Sequence, residues 1–375
     1  MEPSAAQHGG LFEAFKVVAN VLATPWLSFS LAAGVLLLML RFRRVVFNWR
    51  VGAFVLLVEA LVIGFGMKDP NFALIVGKPD NVPITAMLFV STFTLWLAMT
   101  QAVNNERRAD EKLPPDEKES SNQKTWVWPD LLYIEFIALI ICSVVLILWA
   151  IYLRAPLEEP ANPTATPNPS KAPWYFLGLQ EMLVFFDPWY AGVVLPSLII
   201  VGLMLIPYLD INPKGNGYYT FRERSFEILT FFIGFHILWV SFIIIGTFFR
   251  GPGWNWFWPG QVWDPHLVEA LTNVDLPYVF GLRDYLASAI FGLVLIGGYF
   301  VVGYAGLYFW IRSRPAGDPW SAFPGGGREI LKKWGPVRFG ITGFLLIAMA
   351  GVFIKMALRH ALNIKYILVT PWINI

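Results

Sequence analysis

Eight apolar stretches, each about as long as a bilayer is thick, constrain this chain more than any other feature. They lie at about 26–42, 50–67, 83–103, 131–153, 190–209, 225–249, 286–311 and 338–357. A helix crosses the hydrocarbon core with roughly 20 apolar residues, and its backbone polar groups must be paired within the segment. Only 14% of the residues are charged, against roughly 25% in soluble domains. The sequence predicts an all-α integral membrane protein with about eight transmembrane helices.

The distribution of basic residues predicts the orientation of these helices. Of the 28 Lys and Arg residues, 18 lie in four alternate connections. These connections are 41–50, 104–130, 210–224 and 312–338. Since cytoplasmic loops carry an excess of Lys and Arg, we expect both termini and the loop 154–189 to lie outside. The net charge of +2 indicates no nucleic-acid partner.

We predict four segments along the chain, and a change in composition marks the second of them. Residues 1–103 form a three-span unit of unassigned role, and the charged, proline-broken stretch 104–125 is typical of a flexible cytoplasmic linker. Residues 126–250 form the next unit, and 251–375 hold an outer Trp-rich loop and two further spans. Tryptophan favours the headgroup layer, so we interpret that loop as an interfacial belt. Residues 11–25 are a candidate interfacial helix.

Polar side chains within spans are costly and therefore candidates for function. Asp130 stands at the mouth of the fourth span, either as a helix-capping acid or as a functional group. Glu135 lies more than a turn inside it, as a proton-relay or quinone-facing group or as a partner for another subunit. His236 is more typical of a histidine hydrogen-bonded inside a bundle than of a haem ligand, and Cys142, the only cysteine, of a packing residue. No metal site is predicted on this chain.

A short aromatic helix on the outer side is predicted at about 173–187. Pro173 suits a first helical turn, and Trp174, Tyr175 and Phe176 supply flat apolar faces with an indole N–H and a phenol. Glu181 follows about two turns later. An apolar pocket with one reachable carboxylate could take up protons from a hydroquinone. The alternative is an amphipathic helix anchored in the interface by its aromatic residues.

Residues 126–250 resemble the C-terminal half of cytochrome b, and most closely the separate subunit IV of cytochrome bf-type complexes. The words that carry the resemblance are WPDLLYI, EPANPTATPNPSKAPWYFL, IPYLDIN and FRERS, in that order. In that family, the segment equivalent to 173–187 covers the outer quinol-oxidation site. The family's Pro-Glu-Trp-Tyr is here Ala172-Pro173-Trp174-Tyr175, so its glutamate is missing. Glu181 is the candidate that replaces it.

The resemblance implies a membrane subunit of a bacterial bc-type quinol:cytochrome c oxidoreductase in the inner membrane. Pro173, Trp174, Tyr175 and Phe176 would bind quinol outside, with Glu181 and Tyr175 catalytic. Asp130 would lie by the inner quinone site, and Glu135 has no counterpart in the family. The implied partners are a haem-bearing cytochrome b half, a Rieske 2Fe-2S protein, c-type cytochromes and membrane lipids, in a dimeric, proton-translocating complex. The alternative is a cofactor-free membrane anchor or quinone-binding subunit without Rieske-type bifurcation.

Overall fold

The computed structural model describes residues 10–121, 124–155, 160, 162–164, 166–211, 219–258, 261–266, 272–318, 323 and 325–375. These residues form fourteen helices, joined by loops and one 3-10 turn. The helices are α1 (Gly10–Ala23), α2 (Pro25–Arg41), α3 (Arg43–Val46), α4 (Trp49–Gly66), α5 (Pro70–Gly77), α6 (Val82–Asp110), α7 (Asp116–Ser120), α8 (Val127–Tyr152), α9 (Trp174–Met182), α10 (Tyr190–Leu209), α11 (Phe221–Phe248), α12 (Leu276–Val279), α13 (Tyr285–Arg312) and α14 (Gly327–Leu362).

Seven of these helices, α4, α6, α8, α10, α11, α13 and α14, are long and apolar enough to cross a membrane. The prediction of an all-α integral membrane protein is confirmed. The first predicted span, 26–42, corresponds to α2, which has 17 residues. The predicted interfacial helix 11–25 is α1, and the axis bends by 82° between the two. If this bent pair is counted as one span, the described residues contain eight.

Helix α11 lies at the centre of the bundle. In its most apolar window, 44% of the residues are buried, a larger share than in any of the other six candidate spans. The first three predicted spans pack against its N-terminal half through one apolar cluster. The buried members of that cluster are Leu40, Phe47, Trp96, Met99, Ala102, Val103, Phe221, Ile228 and Phe232. The N-terminal unit is therefore joined to the rest of the chain by a shared core.

The charged stretch after the third predicted span is folded as far as residue 121. Helix α6 continues to Asp110, and Glu106, which is 8% exposed, accepts hydrogen bonds from Arg43 and Arg44. Asn105 donates to Glu117 of α7 and to the backbone oxygen of Tyr219. Residues 122–123 lie outside the described part. The predicted division at 103 thus falls inside a continuous helix, and the four-segment organisation stays a prediction.

Helix α8 stands apart from the bundle. Every residue from Val127 to Tyr152 is exposed, and none of the residues in the most apolar window of this helix is buried. A mean hydropathy of 2.9, the highest of the candidate spans, accompanies this exposure. The apolar surface of α8 is therefore available to lipid or to another subunit.

The last two long helices form a pair, and the C-terminal segment covers one end of it. The hydroxyl of Tyr304 in α13 donates to the carbonyl oxygen of Gly340 in α14 at 2.6 Å. Beyond α14, Ile364 pairs with Val274 in a β-bridge. Asn374 then reaches the carboxylate of Asp187. The C-terminus is thereby held against the end of the segment that contains α9.

Candidate functional site

Helix α9 lies against the C-terminal half of α11. Its N-cap is Pro173 and its buried face consists of Leu177, Gly178, Glu181 and Met182. Two glycines allow the backbones to approach closely. A methyl group on Gly178 would lie 3.3 Å from the indole of Trp239, and one on Gly246 would lie 3.4 Å from Leu177. Because these two positions have no side chain, α9 can pack close to α11.

The aromatic residues of α9 divide between an inner and an outer face. Trp174 packs on a cluster formed by Ile84, Leu177 and Ile243, and so anchors the start of the helix. Tyr175 and Phe176 are each 52% exposed, and their ring centroids lie 4.8 Å apart. Pro173 is exposed beside them. The structure thus brings Pro173, Tyr175 and Phe176 together on one open aromatic surface.

Glu181 points away from that surface into the protein. It is 1% exposed, and its two carboxylate oxygens accept from Arg250 Nη2 at 2.5 Å and Nε at 2.9 Å. The indole Nε1–H of Trp254 donates to the same carboxylate at 3.2 Å. If Glu181 took up a proton, this pair would be broken and Arg250, which is 5% exposed, would remain a buried charge. The sequence analysis missed Arg250, which is separated from Glu181 by 69 residues.

The loop before α9 is braced by side chains on both sides. Gln180 accepts from the backbone N–H of Ala172 at 2.7 Å and donates to the carbonyl oxygen of Ser170 at 2.8 Å. The ammonium of Lys171 donates to the carbonyl oxygen of Thr247 at 2.8 Å, near the end of α11. Burial, with smaller contributions from Lys78 and Arg250, lowers the pKa of Lys171 to about 8. A titratable amine therefore lies two residues before Pro173.

The two candidate residues of the inner site lie on α8. Asp130 and Glu135 are both exposed, as is the whole of that helix. The structure brings neither of them close to the α9 surface, and on this isolated helix they have no ion pair with the described part of the chain. The assignment of Asp130 and Glu135 to an inner quinone site stays a prediction.

Three further ionisable side chains lie within long apolar helices and were not singled out from the sequence. They are Glu59 in α4, Glu227 in α11 and Lys355 in α14, and each has a buried polar atom without a hydrogen-bond partner. The signal that would have found them is a charged residue inside an apolar run. His236 lies among the rings of Phe231, Phe232 and Phe235, at centroid distances of 5.1 to 5.8 Å. Its buried Nδ1 has no hydrogen-bond partner in the described part of the chain, so the expected hydrogen bond is not seen at this atom.

In the residue ranges given above, no three or more His, Cys, Asp or Glu side chains stand close enough to hold a metal ion.

Comparison with known proteins finds a likeness over this part of the chain. Residues 160–252, which include α9 and Arg250, match the model described as "Cytochrome b(C-terminal)/b6/petD". These residues are therefore similar to the C-terminal part of cytochrome b. The resemblance seen in the sequence is confirmed for these residues, whereas WPDLLYI lies before the matched cytochrome b segment. Residues 159, 161 and 165 of EPANPTATP are outside the described part of the chain.

Two curated proteins are similar to parts of the chain. A protein of Geobacillus thermodenitrificans named "Menaquinol:cytochrome c reductase cytochrome c subunit" is 26% identical over 136 residues, which are 35% of this chain and 54% of that protein. "Cytochrome b" of Acanthamoeba castellanii is 28% identical over 159 residues, 42% of this chain and 37% of that protein. The chain therefore spans about half, or less, of the relatives that it matches. No solved structure matches it.

Proposed function

We propose that this chain is a membrane subunit of a bacterial bc-type quinol:cytochrome c oxidoreductase. The observation that carries the proposal is the exposed aromatic surface of α9 inside the segment that matches cytochrome b. The name of the Geobacillus relative supports a reductase of this type. The b haems would be held by another subunit, because no two of the four histidines in the sequence share a helix at a spacing suited to haem ligation. Partners would include a Rieske 2Fe-2S protein and c-type cytochromes, in a dimeric complex in the inner membrane with both termini outside.

Quinol would bind against Pro173, Tyr175 and Phe176. Two half-exposed rings offer apolar faces, and the phenol of Tyr175 can hydrogen-bond a quinol oxygen. Trp174 would position the start of α9 from the buried side, since it packs on Ile84. Quinol oxidation releases two electrons and two protons. The electrons would leave to the partner subunits, and the protons would leave to the outer water.

Glu181 remains the proposed proton acceptor on α9. Because its carboxylate is paired with Arg250, proton uptake requires a change in this contact. The carboxylate can bind a proton only if Arg250 and Trp254 move away from it. Such a movement would couple proton uptake to the loop that carries Trp254. In the resting arrangement, Glu181 instead holds α9 against the start of that loop. On the inner side, Asp130 and Glu135 would serve quinone reduction at the surface between α8 and a partner subunit.

Co-purification tests the proposal directly. We would tag this chain, purify it in mild detergent and record a reduced-minus-oxidised absorption spectrum and a low-temperature EPR spectrum. The expected result is b haem together with a Rieske signal. A preparation that keeps its other subunits but shows neither signal would overturn the proposal and indicate a cofactor-free anchor.

The variant Glu135→Leu should lower recovery of the haem subunit if α8 contacts it, whereas Glu111→Leu at the exposed end of α6 should not.

A further inference from the structure

One carboxyl group lies in the middle of a membrane-spanning helix, outside the segment that matches cytochrome b. Glu59 is in α4, which runs over 18 residues from Trp49 to Gly66. At a rise of 1.5 Å per residue, Glu59 is about 15 Å from one end of the helix and about 10 Å from the other. Arg50, in the first turn, is the other charged residue of α4. Glu59 therefore has the depth of the hydrocarbon core.

The surroundings of Glu59 supply one polar side chain. Glu59 is half-buried, and its carboxyl group faces the side chain of Thr92 in α6. The Oε2 atom is shielded from solvent and has no partner among the residues described. Next to Glu59 on α4, the side chains of Val58 and Val62 are apolar and exposed.

No cation faces this carboxyl group from the helices that pack on α4. Between Val82 and Gln101, α6 contains no ionisable residue. Helix α1 touches α4 at Phe65, beyond the middle of the span, and there Lys16 is paired with Asp69. Within the described ranges, no ion pair reaches Glu59 and only the Thr92 side chain interacts with it electrostatically.

These contacts fit a neutral carboxyl group better than a carboxylate. A charged side chain at the centre of a bilayer costs at least about 2.5–3.5 kcal/mol, and a single hydroxyl donor offsets little of that. A protonated carboxyl group carries one O–H donor and keeps an acceptor for Thr92. We propose that Glu59 is a proton-binding site within the membrane, which holds a proton at neutral pH at the contact between α4 and α6. The site is independent of the quinol surface on α9.

Labelling by an apolar carbodiimide tests this proposal on the intact, purified complex. Dicyclohexylcarbodiimide adds to protonated carboxyl groups in apolar surroundings, and the stable N-acylurea is located by peptide mass spectrometry. A glutamate with the ordinary solution pKa is protonated in only about one molecule in 500 at pH 7. Labelling at Glu59 should therefore exceed labelling at the exposed Glu111 by on the order of 100-fold. It should disappear in Glu59→Gln and be unchanged in the matched control Glu111→Gln.

Two outcomes would overturn the proposal. The first is an unlabelled Glu59 in a sample where another intramembrane carboxyl group reacts, since that would mean an ionised Glu59 paired with a cation of a partner subunit. The second is an infrared difference spectrum, wild type minus Glu59→Gln, without the C=O stretch of a protonated carboxyl group. If Glu59→Gln does not accumulate, the wild type alone decides. Labelling of the wild type that stays constant up to about pH 7 and falls only at higher pH supports the proposal, and labelling that already falls about tenfold per pH unit below pH 7 contradicts it.

Discussion

The ion pair between Glu181 and Arg250 holds α9 against the loop that carries Trp254. We can estimate how much its removal would lower the free energy of unfolding. Arg250 makes two hydrogen bonds to the carboxylate, and Trp254 Nε1–H makes a third. Arg250 also donates to the backbone oxygen of Trp254 at 3.1 Å. Because both charged groups are almost entirely buried, either one alone would be left in an apolar setting without a counter-ion.

The expected cost follows from this burial. Removal of one partner of a buried ion pair destabilises a protein by about 3–5 kcal/mol, whereas replacement of both by apolar residues of similar volume is often neutral. We therefore expect Glu181→Met and Arg250→Met each to lower the free energy of unfolding by about 3–5 kcal/mol. The double variant Glu181→Met/Arg250→Met should lie within about 1–2 kcal/mol of the wild type.

Denaturant titration of the purified protein in detergent measures these differences, and the double-mutant cycle gives the coupling between the two residues. If the two single substitutions cost less than about 1 kcal/mol each and add without coupling, the buried pair is not the stabilising contact described here. Leu183→Met, on the exposed side of the end of α9, is the matched control that should leave stability unchanged.

The same three variants separate the two roles of Glu181. If this carboxylate only positions α9, quinol oxidation should return in the double variant together with its stability. If it is the main proton acceptor, oxidation should stay lower by on the order of 10²-fold in a double variant that is fully folded. Recovery of a near-normal rate would therefore remove Glu181 from the catalytic step and leave the pair as a structural contact.

Three further predictions concern α9 and the loop before it. Gly178→Leu should destabilise the protein by about 1–3 kcal/mol, because its side chain would meet Trp239, whereas Gly192→Leu, with open space around it, should change stability little in the same titration. Tyr175→Ala should raise the KM for quinol about 5-fold, since a ring contact contributes roughly 1 kcal/mol, and an equal effect of Leu183→Ala in steady-state assays would contradict this. Trace acetylation over a pH series should show Lys171 protonated below about pH 8 and neutral above it, because burial disfavours its ammonium form. Half-titration near the solution value of about 10.4 would contradict that environment.

Hydropathy and segment length predicted the spanning helices well where the helix ends at the edge of its apolar band. The predicted spans 190–209 and 286–311 correspond to Tyr190–Leu209 and Tyr285–Arg312. Where polar residues continue the helix, the prediction ended too early. Helix α6 runs to Asp110 rather than 103 because its last two turns are stabilised by ion pairs with Arg43 and Arg44. Hydropathy measures the apolar band and contains no information about such partners.

The order of short motifs predicted the segment that matches cytochrome b, and the Pro173-Trp174-Tyr175-Phe176 run predicted a helix with an aromatic surface. Both are local features, so the sequence alone determined them. The inward orientation of Glu181 was not predictable, because its partner Arg250 lies 69 residues away. Glu59, by contrast, carried a signal in the sequence that was missed, since it is a carboxylate inside an apolar run.

The sequence by itself determined that this chain spans a membrane, which segments cross it and where the outer aromatic helix begins. These properties depend on the apolar length of each segment and on the φ restriction of proline, which act within a few residues. Only the tertiary structure decided that the N-terminal spans share a core with α11, that α8 stands free of the bundle, and that Glu181 faces Arg250 rather than the aromatic surface. Packing of this kind depends on side-chain shape and charge between segments far apart in the chain, and no local pattern encodes it.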